Sequence, residues 1–151
     1  MRAALLGSVT LALLGGGGAL AWDLAVVTDE ERVMEVVATV VDARDTGRAE
    51  AFRRTVSLES HPLEISAPGL EHVYDAADES PLLDLVAQIQ EGLSGADVSL
   101  VQSEVRVQGD RARVTLNVEI DRGEEVGFWP MDVDLRRLGD GFVVTRVRLH
   151  R

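Results

Sequence analysis

No cysteine occurs in this chain of 151 residues, so neither a disulfide framework nor thiolate chemistry is open to it. Lysine is missing as well. All 15 basic residues are arginine, which points to a GC-rich genome, and no arginine cluster suggests selection for bidentate phosphate binding. Aromatic side chains make up only 4% of the chain, with one tyrosine, Tyr74. Basic charge is scarce beside 26 acidic residues, and the net charge of −11 disfavours nucleic acid and anionic membrane surfaces as partners. No HExxH, no phosphate-cradling glycine loop and no Ser/His/Asp arrangement can be found. A chain of this length is one domain plus at most an appendage, large enough to bury a core without covalent staples.

What is present is concentrated in the C-terminal third, from Ala96 to Arg151. Val114, Leu116, Val118 and Ile120 are apolar at every second position, with Thr115, Asn117 and Glu119 between them. That is the alternation of a strand with one buried and one wet face. Trp129, Met131, Val133 and Leu135 repeat the pattern, and Val143, Val147 and Leu149 share a phase in a further strand. Turn residues separate these runs: Gly109-Asp110, Asp121-Arg122-Gly123 and Gly139-Asp140-Gly141. The spacing predicts a four-stranded antiparallel meander whose apolar face needs a cover.

The N-terminus carries a different signal. After Met1-Arg2, the twenty residues from Ala3 to Trp22 hold no charge, as in an export signal or a signal anchor. Ala19-Leu20-Ala21 has the small-x-small pattern of a cleavage site, and Gly15 to Gly18 weaken helix just before it. Against cleavage, twenty helical residues would span ~30 Å of hydrocarbon and leave Trp22 at the interface. Residues 1–27 are therefore expected to be a signal peptide or signal anchor with a short linker. Residues 28–151 then form one domain outside the cytoplasm, in a bacterial periplasm or envelope.

Between these regions the periodicity turns helical. Thr28-Asp29-Glu30-Glu31 has a capping residue, a glutamate three positions on and three acids at the positive end of the helix dipole. Val33, Val36, Val37, Val40 and Val41 form an apolar stripe. Arg44 falls late in that helix, and Gly47 is its expected stop. A second helix is predicted around Arg48 to Val56, with Ala49, Phe52 and Val56 inward. Leu58 to Asp78 reads as irregular, with one short strand near Leu70 to Tyr74. A third helix starts at Ser80-Pro81, buries Leu82, Leu85, Val86 and Ile89, and ends at Gly92 or Gly95.

This order is α+β. The run Asp29 to Gly47, with Gly109-Asp110-Arg111-Ala112 and Gly139-Asp140-Gly141-Phe142 each leading into a strand, resembles the nuclear transport factor 2-like superfamily. That group shares a cystatin-like cone and has polyketide cyclase-like, ketosteroid isomerase-like and scytalone dehydratase-like branches. The resemblance covers about Asp29 to Arg151. It implies a curved antiparallel sheet of about four long strands wrapped around an N-terminal helix pair plus a third helix, the apolar N-terminal helix lying outside the domain. It does not select a function, because such folds host enzymes, binding modules and assembly proteins.

The candidate residues divide accordingly. In the isomerase branch a tyrosine and a protonated carboxylic acid form an oxyanion hole. Here Tyr74 lies in the loop region instead of the first helix; Asp75 and His72 beside it complete the catalytic candidates. His72, Asp75 and Asp78, three apart, could face one divalent cation from a helix, but no sequence signature supports a metal site and none is expected. Asp42-Ala43-Arg44-Asp45 is similar in composition to the Asp/Arg/Asp set of the epoxide hydrolase branch, though packed into one turn, where a solvated helix end is the plainer reading. Binding candidates are Phe128, Trp129, Met131 and Val40. Phe128 and Trp129 lie on opposite strand phases, so one of them faces outward unless Pro130 marks a bulge or an edge. The expected function is a non-catalytic, exported and membrane-tethered domain that binds a protein partner or a small apolar ligand, without a cofactor and without nucleic acid. The resemblance also allows a homodimer, through the periplasmic domains of type IV secretion assembly factors. The alternative is a small isomerase, dehydratase or hydrolase acting in the cone.

Overall fold

The computed structural model describes residues 27–43 and 47–150; the expected signal peptide or anchor lies outside them. Among the described residues no helix is long and apolar enough to cross a membrane.

Thr28 opens helix α1 (Asp29–Val41) through a reciprocal cap. Its backbone N–H donates to Glu31 Oε2 at 2.7 Å, and its own Oγ1 accepts from the Glu31 N–H at 3.2 Å. Such a cap is worth about 1 kcal/mol. Val33 and Val37 are buried along the predicted stripe, with Val36 and Val41 packed against the core at its margin. The helix ends at Asp42, short of the expected stop at Gly47, because the apolar stripe that holds it to the core runs out at Val41. Gly47 instead precedes α2 (Arg48–Thr55). Arg44 lies outside the described residues. Arg48 reaches back from α2 and donates to the Val40 and Val41 carbonyls, placing a cation at the negative end of α1.

The expected short strand is present as β2 (Leu70–Tyr74), and the stretch before it, read as irregular, holds a further strand, β1 (Leu63–Ala67), joined to it by Pro68-Gly69. Gly69 takes φ +82°, which a glycine after a proline supplies without strain. Prolines 62 and 68 bracket β1 and do not interrupt it, which is why β1 escaped the sequence pattern. After a 3₁₀ turn (Ala76–Asp78) comes α3 (Glu79–Gly92), then β3 (Asp97–Gln108), β4 (Arg111–Asp121), β5 (Val126–Leu138) and β6 (Gly141–Leu149). The sheet order is β2-β1-β6-β5-β4-β3. β1 runs parallel to β6, and every other pairing is antiparallel. The predicted meander is β3 to β6.

Two register shifts bend the sheet, one beside Val101 in β3 and one beside Thr145 in β6. The second changes a phase. Val147 and Leu149 stand opposite Val133 and Met131, on the face towards the helices. Beyond the shift Val144 is opposite Leu135, so Val143 shares the outer face with Arg136, contrary to the single phase read from the sequence. α1 lies against β3 and β6, while α3 packs mainly on α2. That placement buries Leu82 and Val86 but leaves Ile89 48% exposed, where an inward Ile89 was expected.

The first helix is also pinned electrostatically. The Arg137 guanidinium on β5 bonds to both carboxylate oxygens of Asp29 and lies 4.7 Å above the Phe142 ring. Hydrogen bonding to Arg137 holds the Asp29 carboxyl below its ordinary range, against a smaller opposing effect of burial.

Candidate functional site

The concave side of the sheet is where a cone-shaped fold would hold a substrate, and apolar side chains line it. Val33 and Val37 meet Val114, Leu116, Leu135 and Val144 in one cluster that also takes in Tyr74, Leu82 and Phe142. Among the described residues the buried side chains that carry a polar group are Tyr74 and Thr55, and the Thr55 hydroxyl donates to the Phe52 carbonyl at 2.7 Å. A general acid–base site needs at least two convergent polar groups, and among the described residues no hydrogen bond joins Tyr74 to Thr55, whose hydroxyl is taken up by a backbone carbonyl.

The catalytic candidates are adjacent in sequence but not directed at one point. Tyr74 points inward at the end of β2 and is 6% exposed. Its ring lies edge-on to that of His72, with centroids 4.4 Å apart, while His72 itself is exposed. Asp75 caps the following turn: Oδ1 accepts from the Ala77 N–H at 2.8 Å, and Asp78 Oδ2 accepts from the Asp75 N–H at 3.2 Å. His72, Asp75 and Asp78 thus occupy a strand and a turn, not one helix face. No group of three potential metal ligands forms among the described residues. Asp42 is an exposed helix cap, and residues 44 and 45 fall outside the described part.

The binding candidates lie at the far end of β5. Phe128 is paired with Glu119 on the outer face, and Trp129 with Val118 on the face towards the helices. Phe128 is thus the one that faces outward, and both are exposed, at 56% and 43%. Met131 is half-buried against the core, and Val40 is half-buried on α1. β6 stops at Leu149 opposite Met131, so among the described residues β5 from Val126 to Trp129 pairs with β4 alone. Exposed Val126 adds to this open segment. Nearby, Asn117 Oδ1 is enclosed and has no hydrogen-bond partner among the described residues.

The near-terminal His150 is an exposed residue just past β6. It contacts Asp132 Oδ2 at 3.0 Å, and the Thr115 hydroxyl donates to Asp132 Oδ1 at 2.8 Å. Burial pushes the Asp132 carboxyl up, but these two partners together with the nearby Arg113 charge outweigh it and hold the group below its ordinary value.

No family model matches the chain, and no curated protein matches it in sequence. Solved structures match in shape. An NTF2-like protein of unknown function from Pseudomonas putida superposes with a TM-score of 0.64 at 15% identity, over 80% of this chain and 84% of that one. A candidate ketosteroid isomerase from Shewanella frigidimarina gives 0.63 at 15% identity, over 79% and 94%. A candidate dehydratase from the NTF2-like family of Streptomyces avermitilis gives 0.59 at 20% identity, over 80% and 94%. Identities this low speak for the fold alone, and on that point they agree with the three helices and curved mixed sheet described above: this chain has the nuclear transport factor 2-like cone fold.

Proposed function

We propose that this chain is a non-catalytic binding domain of the cell envelope, tethered by its N-terminal apolar run and docking a protein partner at the free end of β5. The observation that carries this reading is the exposure of Phe128 and Trp129 on either side of a strand segment paired with β4 alone. An open strand edge offers backbone donors and acceptors to an incoming chain, and flanking aromatics supply the anchors. The apolar lining of the interior supports the non-catalytic part of the reading, since a cavity enzyme needs convergent polar groups there.

The test is a pull-down from envelope extract with the full chain, its Phe128→Ala and Trp129→Ala variants, and a surface control. Loss of one defined partner with either aromatic variant is the expected result. Equal capture by all variants would sink the docking site. Location is tested separately, with a C-terminal reporter active only in the cytoplasm; activity of that reporter overturns the envelope assignment.

A second reading, a small isomerase or dehydratase, is favoured by the candidate activities of two of the similar structures. Turnover of ketone, enol or epoxide substrates that disappears with Tyr74→Phe or Asp75→Asn would establish it over the first.

A further inference from the structure

The outer face of the sheet holds a charge arrangement that the fold does not need. Arg106 on β3 stands directly across from Arg113 on β4, and Arg111 on β4 directly across from Arg136 on β5. Residues 111 and 113 are two apart on one strand and share a face, so four guanidinium groups form a block across three strands. Like charges directly opposite one another destabilise an antiparallel pair. A sheet built for stability alone would place carboxylates or threonines at these positions, as this one does in the adjoining row with Thr115 opposite Asp132.

The block borders a trough of about 770 Å³ that crosses the outer face, with Pro62 and Val73 of the β1–β2 region among its lining residues. Arg146 also lines it. Five arginines against the two lining carboxylates, Glu64 and Asp134, leave the trough three charges positive in a chain that is eleven negative. Counting Asp110 and Glu104, which bond to Arg136 and Arg106, still leaves the balance positive. Arg113 is satisfied by Asp134 at 2.6 and 3.0 Å. Arg111 is not: among the described residues it makes no side-chain hydrogen bond, and its nearest carboxylate contact is with Asp110 at 3.9 Å.

We infer that this trough binds a small organic anion carrying two or more carboxylate or phosphate groups. Arg111 supplies the unsatisfied donors, Arg106, Arg136 and Arg113 the surrounding field, and Val73 and Pro62 an apolar wall for the ligand's carbon skeleton. Planar guanidinium groups suit the paired oxygens of either anion. The volume is in the ~300–1,000 Å³ range of small-molecule sites. The site lies on the outer face but at the opposite end of β5 from Phe128, and it stands or falls independently of the docking reading.

The experiment is calorimetric titration of the full chain at low salt with citrate and, separately, with inorganic pyrophosphate, alongside thermal unfolding with and without each anion. Binding of either, with a raised melting temperature, is expected, and the preferred anion identifies the ligand as carboxylate or phosphate. Arg111→Gln should weaken binding about ten-fold, the loss of one charge-assisted hydrogen bond, and Arg106→Gln by a smaller factor, since Glu104 already takes two of its donors, while Arg53→Gln on α2 should not. Without anion, Arg111→Gln should leave the melting temperature unchanged or raised, since it relieves a like-charge pair. Failure of both anions to bind at millimolar concentration overturns the site, as does binding indifferent to Arg111 and Arg106. A lowered melting temperature for Arg111→Gln without anion would assign that arginine to the fold and likewise overturn it.

Discussion

Gly127 and Trp129 share one face of β5, and the indole Nε1 lies 3.2 Å from where a β-carbon on Gly127 would stand. The absence of a side chain at residue 127 is what lets the indole lie back along its own strand while remaining 43% exposed.

Gly127→Ala should therefore displace the indole by a few tenths of an ångström or more. Stability should change by less than about 1 kcal/mol, because a strand gains from losing a glycine what the contact costs. Fluorescence in a Trp22→Phe background reports the indole directly, and a shifted emission maximum is expected. If the docking reading is right, partner capture should fall with it. An unchanged spectrum would show that Trp129 does not rest on Gly127.

The Asp29–Arg137 pair predicts an acid dependence. A carboxyl held low in the folded state stabilises the protein fully above its unfolded value, about 3.9, and loses that contribution as pH falls below it. Asp132, also held low, acts in the same direction. Urea unfolding midpoints measured down to pH 2 should fall on acidification for the wild type. Asp29→Asn should be less stable at neutral pH and converge with the wild type in acid. Parallel curves for the two proteins would remove Asp29 from the account.

Val118 is 6% exposed on the face towards the helices, while its neighbour Glu119 points outward. Val118→Asp buries an unpaired charge and should cost several kcal/mol, out of a total of about 5–15 kcal/mol typical for a domain. Glu119→Lys should cost within ~0.5 kcal/mol. Chemical denaturation of both variants measures the contrast, and equal losses would contradict the face assignment.

Asp75 is expected to act as a cap and not as an acid. Asp75→Asn keeps an oxygen for the Ala77 N–H and should be nearly neutral, whereas Asp75→Ala should cost about 0.5–2 kcal/mol, read from unfolding midpoints. Tyr74→Phe should leave partner capture unaffected. An Asp75→Asn variant that folds normally but loses a measurable activity would reverse this assignment.

The local elements were legible because each is decided by a few neighbouring residues. Thr28 and Glu31 specify the start of α1 by bonding to each other, and the alternation from Val114 to Ile120 specifies a strand with one buried face. β1 was hidden by its prolines, and the end of α1 by a glycine that serves the next helix. The phase of Val143 depended on a register shift at Thr145, which only pairing with β5 reveals. The candidate site divides the same way. Phe128 and Trp129 were visible as opposite phases of one strand, but their shared exposure follows from β6 ending opposite Met131. The arginine block was invisible in sequence, where residues 106, 111, 113 and 136 are scattered and no basic run exists. Strand registers bring them together, because pairing places side chains opposite one another at distances in sequence that no local pattern records. The sequence by itself determined the helices, the meander and the buried stripe, through short-range periodicity. Which charges face each other, and which aromatics remain uncovered, only the tertiary structure decided.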